Sequence, residues 1–429
     1  MSASRGETLI LVENLSVPFD RRVWQEARSL RRAGYGVSVI CPQGSRQDTA
    51  PHEVLEGVEI HRYRLRPASA GAAGYAREYG SALYRTWSLI GRLSRTRRFD
   101  VVHACNPPDV LILTAVGLRR RGAATIFDHH DLVPELYVSR FRGGRGLLYK
   151  STFLWERLAF ATADVVLATN ESYRRVALGR GRKRPEDVFV VRSAPDLERF
   201  RPVPGDPSLR RSKRHLIAYL GVMGPQDGVD HALRALAKLR VRRDDWHAVF
   251  IGGGDVLNEM QALAASLGLS GSVEFTGRIP DEDVIVRLSS ADVCLAPDPK
   301  NPLNDVSTMN KIIEYMALAR PVVSYDLKEA RVSAGDAALY AAANDIGAFA
   351  ACIEQLLDSP KRGAEMGRLG RRRVEEKLSW KRSEEQLLAA YERALELRTR
   401  HRAARPPART ARAESGRRES HSEVCADEI

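Results

Sequence analysis

The 429-residue sequence has few cysteines, few lysines and no long apolar run. Its five cysteines stand far apart, without Cys-x-x-Cys or Cys-x-x-His spacing, which excludes a zinc module and argues against a disulfide scaffold. No run approaches the ~18 apolar residues that span a bilayer. The first residues lack the charged-then-apolar pattern of a signal peptide. We therefore expect a cytoplasmic protein, with the inner face of the plasma membrane as an alternative location.

The charge is positive and unevenly distributed. The net charge is +13 for the whole chain, +11 for residues 1–200 and −1 for residues 201–397. A basic front half suits anionic lipid, nucleic acid or a phosphorylated substrate. Arginine supplies 57 of the 67 basic residues, which indicates a coding bias. The excess positive charge would then be a solvated surface without a binding partner, and this is an equal alternative. No basic motif with interleaved aromatic residues supports a nucleic-acid binder.

Short β-branched runs alternate with helical patterns, which is typical of βαβ units and buried parallel sheets. The alternation starts at Thr8, reaches a Pro/Gly-rich linker at Phe200–Ser208, and begins again at His215. We predict an α/β protein with two doubly wound, Rossmann-like domains, at 1–200 and 201–397, that face a cleft. A disordered Arg-rich tail would follow at 398–429. Ligands of such folds bind at the carboxyl ends of the strands, so the cleft is the expected active site.

The segment Pro302–Val323 contains the most informative chemistry. Ser307 or Thr308 is a plausible N-cap of a helix, and a helix N-terminus that faces a cleft binds anions. Lys311 would add a positive charge for a diphosphate. Glu314, on the same helix face, would accept hydrogen bonds from ribose hydroxyls. A surface Lys–Glu pair on an amphipathic helix is the alternative.

This segment resembles the donor-site signature of glycosyltransferase family 4, whose members are retaining enzymes with the GT-B fold. The family's helix ends in Glu-Ala-Met-Ala, precedes Gly-x-Pro-Val-Val and carries the ribose-binding glutamate; here the sequence is Glu314-Tyr-Met-Ala-Leu-Ala-Arg-Pro-Val-Val. The segment Thr308-Met-Asn-Lys-Ile-Ile resembles the corresponding sequence of a bacterial subgroup, the WbuB-like surface-polysaccharide transferases. The likeness spans about residues 7–395 and includes the segments Val191–Phe200, Phe250–Gly254, Phe275–Pro280 and Ala291–Pro297.

The sequence departs from the family pattern at the donor site. The first of two glutamates spaced eight apart would fall at Val306, so the adjacent Asp305 is a candidate partial substitute. Val222 and Asp227 replace the two cations that normally hold the donor diphosphate, which makes Lys311 the leading replacement. Glycine-rich turns after two strands would let backbone approach the ligand. The expected donor-binding set is Gly221, Gly224, Gly252, Gly253, Asp305, Ser307, Thr308, Met309, Asn310, Lys311 and Glu314.

The first domain supplies the acceptor side of the expected site. His130 and Asp131 follow a strand, and the resemblance places a His-Asp pair near the reacting sugar, so both are catalytic candidates together with Lys311. Capping of the next helix is the alternative for this pair. The loop 14–24 stands where the family has a Gly-rich loop, and its arginines meet either an anion or solvent. The expected acceptor-binding residues are Phe19, Arg21, Arg22, His130 and Glu135.

The resemblance implies a metal-independent, retaining transferase without a cofactor. A nucleotide-diphosphate sugar would be the co-substrate, a glycan or a polyprenyl-diphosphate-sugar the acceptor, and bacterial cell-surface polysaccharide synthesis the setting. The triplet Asp281-Glu-Asp283 mimics a metal-binding DxD motif, but it opens a helix, where acids favour the dipole. The helix Tyr75–Arg97 is a candidate contact with an anionic membrane, or simply a covering helix. A nucleotide-sugar epimerase of the same fold and a non-catalytic nucleotide-sugar or lipid-binding protein are alternatives.

Overall fold

The computed structural model describes residues 5–44, 48–66, 72–140 and 146–403. Residues 398–403 continue the last helix, and the rest of the expected tail, 404–429, lies outside the described residues. None of the described helices combines the length and the apolar character that a membrane-spanning helix needs.

The first domain is built on an eight-stranded sheet in the order β3-β4-β2-β1-β5-β6-β7-β8. All neighbours pair in parallel except β3, which is antiparallel to β4 at the edge. The central strands are buried on both faces, as their β-branched runs require. The strands are β1 Glu7–Leu11, β2 Gly36–Pro42, β3 His52–Leu55, β4 Val58–Tyr63, β5 Val101–Cys105, β6 Ala124–His129, β7 Val165–Ala168 and β8 Val188–Val190.

Six of the described helices lie between residues 21 and 179 and accompany this sheet, and side chains fix the start of two of them. Asp20 accepts a hydrogen bond from the Val23 amide at the start of α1, and Asn170 accepts one from the Tyr173 amide at the start of α6. The helices are α1 Arg21–Arg32, α2 Ala72–Leu93, α3 Val116–Arg120, α4 Val133–Arg140, α5 Leu147–Thr162 and α6 Glu171–Gly179, with 3₁₀ turns at Asp109–Ala115 and Pro185–Asp187.

The second domain has a six-stranded, all-parallel sheet in the order β11-β10-β9-β12-β13-β14. Its strands are β9 His215–Leu220, β10 Trp246–Ile251, β11 Val273–Gly277, β12 Val293–Ala296, β13 Val322–Tyr325 and β14 Ala338–Ala341. Its helices are α7 Val229–Arg240, α8 Leu257–Ser266, α9 Asp281–Ser290, α10 Asn310–Ala317, α11 Lys328–Ala334, α12 Ile346–Asp358 and α13 Pro360–Arg373. Shorter turns of helix lie at Pro207–Arg210, Asn304–Val306, Gly335–Ala337 and Val374–Leu378.

The strand orders confirm the predicted fold class. In the first sheet β1 lies between β2 and β5, and in the second β9 lies between β10 and β12. The chain therefore winds outward in both directions from a central strand, as in doubly wound folds, and opens a crevice at the carboxyl ends of the strands. The loops that follow β1, β6 and β11 all border the cleft between the domains.

The final helix, α14 Trp380–Ala403, returns to the first domain. Leu387, Ala390 and Tyr391 are fully buried in a core shared with β1, β2 and β5. The Trp380 indole donates a hydrogen bond to the Ser29 hydroxyl of α1. The expected second domain, 201–397, included most of this helix, whereas its packing joins it to the first sheet. An amphipathic pattern shows that a helix has a buried face but does not show which sheet covers that face.

Candidate active site

A cleft of about 1360 Å³ separates the two domains, and both line it. The first domain contributes the loop after β1, the two residues that follow β6 and part of α2. The second contributes the segment after β11, the start of α9 and the segment before α10. Among the lining residues are Glu13, Phe19, Arg21, Glu78, His130 and Asp131 on one side and Arg278, Asp281, Ser307, Thr308 and Asn310 on the other.

Asp128, the penultimate residue of strand β6, orients His130 at the cleft wall. Its Oδ2 lies 2.5 Å from Nε2 of His130. The Asn106 side chain accepts hydrogen bonds from the backbone amides of His130, at 2.6 Å, and Asp131, at 3.1 Å. Nε2 of His130 also lies 2.9 Å from Nε of Arg22, so Asp128 and Arg22 both hold this ring nitrogen. The predicted His-Asp pair therefore lies at the cleft with a fixed backbone and a held imidazole.

Arg22 supports this arrangement from inside the domain. Its guanidinium donates two hydrogen bonds to Asp128, at 2.9 and 3.1 Å, and one to the Val191 carbonyl, at 2.7 Å. Burial would raise the pKa of Asp128, but Arg22 and His130 outweigh it and hold that pKa well below its usual range. Arg22 was an expected acceptor contact; although it borders the cleft, it is 8% exposed and already committed to these partners.

The other two loop candidates contact the second domain. Arg21 donates to Asp281 at 2.6 Å and lies 3.4 Å from Glu314. The guanidinium of Arg278 lies 4.2 Å above the ring of Phe19, a cation–π distance. Phe19 and Arg21 were expected to bind an acceptor; the structure brings both to the domain boundary, beside the donor side of the cleft.

The N-terminus of α10 opens on the cleft. The helix begins at Asn310, and its N-cap Met309 makes no side-chain capping bond. Ser307 and Thr308 were the expected caps, but their hydroxyls bind the first domain, Ser307 to Tyr173 at 3.0 Å and Thr308 to Asn170 at 3.0 Å. The Ile312 amide of the first turn donates to the Met309 carbonyl. The amides at the very start of a helix have no intrahelical acceptors, so this end can receive an anion.

Lys311 lies beneath the turn at Gly221 and is already paired. Its Nζ is 2.7 Å from Asp298 and 5.1 Å from the Tyr219 ring centre. Burial would lower the pKa of Lys311, but Asp298 outweighs it, and the pKa is raised. A β-carbon on Gly221 would lie 3.2 Å from Cε of this lysine. The charge expected to face a diphosphate is therefore buried in an ion pair below the glycine turn.

The two glycine-rich turns of the second domain touch each other. A β-carbon on Gly252 would lie 2.0 Å from the Gly221 carbonyl oxygen, and Gly252 has φ +125°, which side chains rarely adopt. The Gly224 amide donates to Asp227, so this acid closes its own turn. Gly253 has open space around its α-carbon. Only glycine permits this close approach of the loops after β9 and β10.

Glu314 is partly buried between the domains. Burial raises the pKa of its carboxyl, and the positive charges of Arg21 and Lys311 act in the opposite direction. It is the fifth residue of α10, one turn from the helix end that opens on the cleft. A carboxylate there can accept hydrogen bonds from hydroxyl groups of a ligand in the cleft.

Nine expected site residues are not among those that line the cleft: Gly221, Gly224, Gly252, Gly253, Asp305, Met309, Lys311, Glu314 and Glu135. Two of them are acids held by partners from other segments. Asp305 accepts a hydrogen bond from the Lys328 amide at the start of α11 and lies 3.5 Å from Lys300. Glu135 forms a two-pronged ion pair with Arg180, at 2.6 and 3.2 Å. Each acid has a local partner that sequence spacing does not reveal.

Comparison with known proteins decides the family. Residues 20–194 match the family model described as a glycosyl transferase 4-like domain, and residues 214–359 match that of glycosyl transferases group 1. The chain is 30% identical over 325 residues to the MMP alpha-(1->4)-mannosyltransferase of Mycolicibacterium hassiacum, covering 72% of this chain and 75% of the relative. This protein is a GT4-like glycosyltransferase.

Two further matches agree with this assignment. The glycosyltransferase is 30% identical over 195 residues to the GDP-mannose-dependent alpha-(1-6)-phosphatidylinositol monomannoside mannosyltransferase of Mycolicibacterium smegmatis, covering 43% of this chain and 51% of the relative. It superposes on sucrose-phosphate synthase of Thermosynechococcus elongatus with a TM-score of 0.76 at 17% identity, over 92% of this chain and 100% of that one. The GT-B fold and sugar transfer from a nucleotide sugar are thereby established; the WbuB-like subgroup stays a prediction.

Sequence reasoning missed several residues of the glycosyltransferase cleft. Arg278 directly follows β11, inside a segment that carried the family resemblance, and Tyr173 and Asn170 belong to the first turn of α6 and its cap. For Arg278, its position at the end of a strand was a usable signal. Nothing in the local pattern shows that Tyr173 and Asn170 reach across to the segment before α10.

Proposed function

We propose that this glycosyltransferase is a retaining, metal-independent enzyme. It would move a hexosyl unit from a nucleoside-diphosphate sugar to a glycan or a polyprenyl-diphosphate-sugar acceptor, in bacterial cell-surface polysaccharide synthesis. The observation that carries the proposal is the shared cleft, in which His130 of the first domain faces the α10 N-terminal segment of the second. One wall holds an oriented hydrogen-bonding side chain, and the other holds an anion-binding helix end.

The second domain fits the donor. The uncapped α10 terminus would receive the diphosphate, and Glu314 would bind the ribose. Because Lys311 is buried and paired with Asp298, we assign the leaving diphosphate to two cleft cations, Arg278 and the exposed Arg21, which would have to leave Asp281. Both stand on the cleft wall, and stabilising a departing anion is the largest electrostatic task in such a reaction. The mannosyltransferase names of the relatives make GDP-mannose the first donor to test.

The first domain fits the transferred sugar and the acceptor. His130 would accept or donate a hydrogen bond at a hydroxyl of the reacting sugar, in an orientation that Asp128 fixes. In front-face displacement the acceptor hydroxyl oxygen bonds to the anomeric carbon on the face from which the diphosphate departs, and the departing phosphate oxygen takes the hydroxyl proton. The step therefore needs neither a protein nucleophile nor a separate base. His130 and Asp131 are accordingly assigned positions beside the reacting sugar, and no residue is assigned as a separate base.

A lipid-linked acceptor would bring the enzyme to a membrane, and one face of the first domain suits that surface. Helices α2 and α5 pack into the same core cluster on one side of the sheet. On α5 five large apolar side chains are exposed. Several of them are four or seven residues apart, so they lie along one side of the helix. We name the exposed residues of α2 and α5 the α2/α5 face; its large apolar members are Tyr84, Trp87, Leu147, Leu148, Leu154, Trp155 and Leu158.

The charges on the α2/α5 face all have one sign. The two helices contain two acidic residues: Glu78 lines the cleft, and Glu156 is buried against Arg180. The exposed charged residues are Arg77, Arg85, Arg92, Lys150 and Arg157. Exposed tryptophans beside cations favour the interface of an anionic bilayer. Arg97, an expected member of this surface, instead binds Glu59 at 2.7 Å.

Thermal-shift binding of GDP, UDP and ADP, each with and without EDTA, tests the donor half of the proposal. We expect one nucleoside diphosphate to stabilise the protein equally in both conditions. Dependence of that stabilisation on a divalent metal would contradict metal independence. Stabilisation by none of them would favour the non-catalytic alternative, and epimer formation from the donor sugar without an acceptor would favour the epimerase. Retention is read from the anomeric configuration of the product.

A further inference from the structure

Two histidines lie directly opposite each other at the edge of the first sheet. In the antiparallel pair of β3 and β4, His52 is the register partner of His61. Directly opposed residues point to the same face of a sheet, and here the rings stack with their centroids 4.8 Å apart. Glu59 precedes His61 by two residues, so it lies on that face as well. Three side chains that can bind metals therefore share one small area, away from the residues that line the cleft.

His61 and Glu59 do not satisfy each other by a hydrogen bond. Oε2 of Glu59 lies 3.6 Å from Nε2 of His61, which is too far for one. This Nε2 is buried and has no hydrogen-bond partner among the described residues. Because buried polar atoms are nearly always paired, a buried ring nitrogen without a partner indicates a ligand that would supply the missing interaction.

The spacing of the three groups suits a single metal ion. Zn²⁺ binds imidazole nitrogen and carboxylate oxygen at about 2.0–2.2 Å, so two of its tetrahedral ligands lie roughly 3.4 Å apart. The 3.6 Å between Glu59 and His61 is close to that separation. One ligand atom from each of the three side chains lies within 4.8 Å of the other two. His52 is exposed, so rotation of its side chain can close the remaining distance.

Arg97 holds the carboxylate without taking the oxygen that faces His61. Its Nη2 donates a hydrogen bond to Oε1 of Glu59 at 2.7 Å, whereas Oε2 is the oxygen near the ring. Carboxylates that bind metals are themselves hydrogen-bonded by neighbouring groups, which fix their orientation. The guanidinium of Arg97 would have this outer role.

We propose that His52, Glu59 and His61 form a Zn²⁺ site that links β3 to β4. Two imidazoles and one carboxylate are donors that Zn²⁺ accepts, whereas Mg²⁺ and Ca²⁺ prefer sites made of oxygen ligands. β3 is a four-residue strand at the edge of the described sheet, with β4 as its neighbour. A metal bridge between these strands would stabilise that edge, because binding to the folded state adds to its stability. The site is separate from sugar transfer, for which we propose no metal.

Calorimetric titration of Zn²⁺ into the metal-stripped, full-length protein tests the site. We expect His52→Ala and His61→Ala each to weaken Zn²⁺ binding by about tenfold or more, since even the loss of an outer partner costs roughly 10- to 100-fold. Glu59→Gln should also weaken it. Glu56→Gln makes the same change at an exposed residue in the turn between the two strands and should bind as the wild type does. A large excess of Mg²⁺ should not displace the Zn²⁺.

Co²⁺ gives a second measurement, because its visible absorption reports the ligands that bind it. We expect a Co²⁺ spectrum in the wild type that loses intensity in both histidine variants, and a Tm that Zn²⁺ raises more in the wild type than in those variants. Circular dichroism checks that the variants are folded. Zn²⁺ bound elsewhere on the chain is unaffected by these changes, so it cancels in the comparison. Absence of Zn²⁺ binding by the wild type, or equal affinity in the wild type and both folded histidine variants, overturns the proposal.

Discussion

Arg21, the first residue of α1, lies 3.4 Å from the carboxylate of Glu314 in α10, across the domain boundary. The same guanidinium binds Asp281 at 2.6 Å, and Arg199 binds Asp281 as well. The residue expected to hold the donor ribose is thus already in contact with a first-domain cation. A donor that enters the cleft would compete with Asp281 and Glu314 for Arg21, so donor binding and domain contact are coupled.

Glu314→Gln should weaken donor binding. The change removes a charged hydrogen-bond acceptor, whose loss costs about 1.5–3 kcal/mol, or roughly ten- to a hundredfold in the dissociation constant of the stabilising nucleoside diphosphate. Calorimetric titration measures it. Glu282→Gln, a cleft carboxyl on the neighbouring helix, serves as the control. Unchanged affinity in Glu314→Gln would remove this residue from the donor site.

Arg21→Ala should raise the donor KM by about tenfold, because it removes one of the two cations that we assign to the diphosphate. Arg21→Lys keeps the charge and should recover part of the loss. Initial rates over a range of donor concentrations give KM and kcat separately. Arg234→Ala, at an exposed α7 position, is the control. A KM that falls instead would mean that Arg21 mainly blocks the donor site in the free protein.

Acid should destabilise the first domain through His129. The ring packs against Phe127, Phe160 and Tyr173, and burial followed by the charge of Arg180 lowers the pKa of His129 to about 3. The folded pKa is depressed below the unfolded value of about 6.5, so the stability is present above that value and is lost as pH falls from about 6.5 toward 3.

His129→Phe should therefore reduce the acid sensitivity. Between about pH 7.5 and pH 5 the wild type should lose about 2 kcal/mol more unfolding free energy than the variant. Urea unfolding at both pH values measures this difference. Parallel stability curves for the two proteins would show that His129 can accept a proton in the folded state.

Cutting the chain before Trp380 should unfold the first domain or make the protein insoluble. The cut removes α14 and uncovers the core that Leu387, Tyr391 and Ala394 fill. Each large buried side chain contributes about 1.5–3 kcal/mol, so the loss approaches the whole stability of a domain. Expression and circular dichroism measure the outcome, and a chain ending after Ala403 is the control. A folded protein without α14 would contradict the packing described for this helix.

The α2/α5 face should bind anionic vesicles. Wild-type protein is co-sedimented with phosphatidylcholine vesicles with and without phosphatidylglycerol. Replacing Trp155 and Leu158 by Ser should remove binding, whereas Val241→Ser, which changes an exposed apolar residue of the second domain, should not. Reversing Lys150 and Arg157 to Glu should weaken binding to anionic vesicles by about fivefold or more per residue.

Lys361→Glu, at an exposed position on α13, is the matched charge control. Vesicle binding that survives both the apolar and the charge changes would exclude this face. A stable dimer in sedimentation experiments that the Ser changes dissociate would show that a second copy covers it instead.

The sequence predicted the local elements and much of the donor segment. Strand-and-helix periodicity is a local property, and so is the helix with Lys311 and Glu314 on one face. The sequence did not predict the positions of Asp305 and Glu135, because the Lys328 amide and the Arg180 guanidinium bind them from other segments. The pairing of Lys311 was missed for the same reason, because its partner Asp298 lies thirteen residues away, just after β12.

By itself, the sequence determined two α/β domains with mainly parallel sheets, the Pro/Gly linker and the glycine turns. The spacing of apolar residues and the conformational freedom of glycine act over only a few residues, so a local pattern records them. Only the tertiary structure decided that α14 packs on the first sheet, that Arg22 holds Asp128 and His130, and that Arg21 meets Glu314. These outcomes depend on which surfaces the chain brings together over hundreds of residues. A charged side chain takes the partner that packing offers it, and no local pattern records that partner.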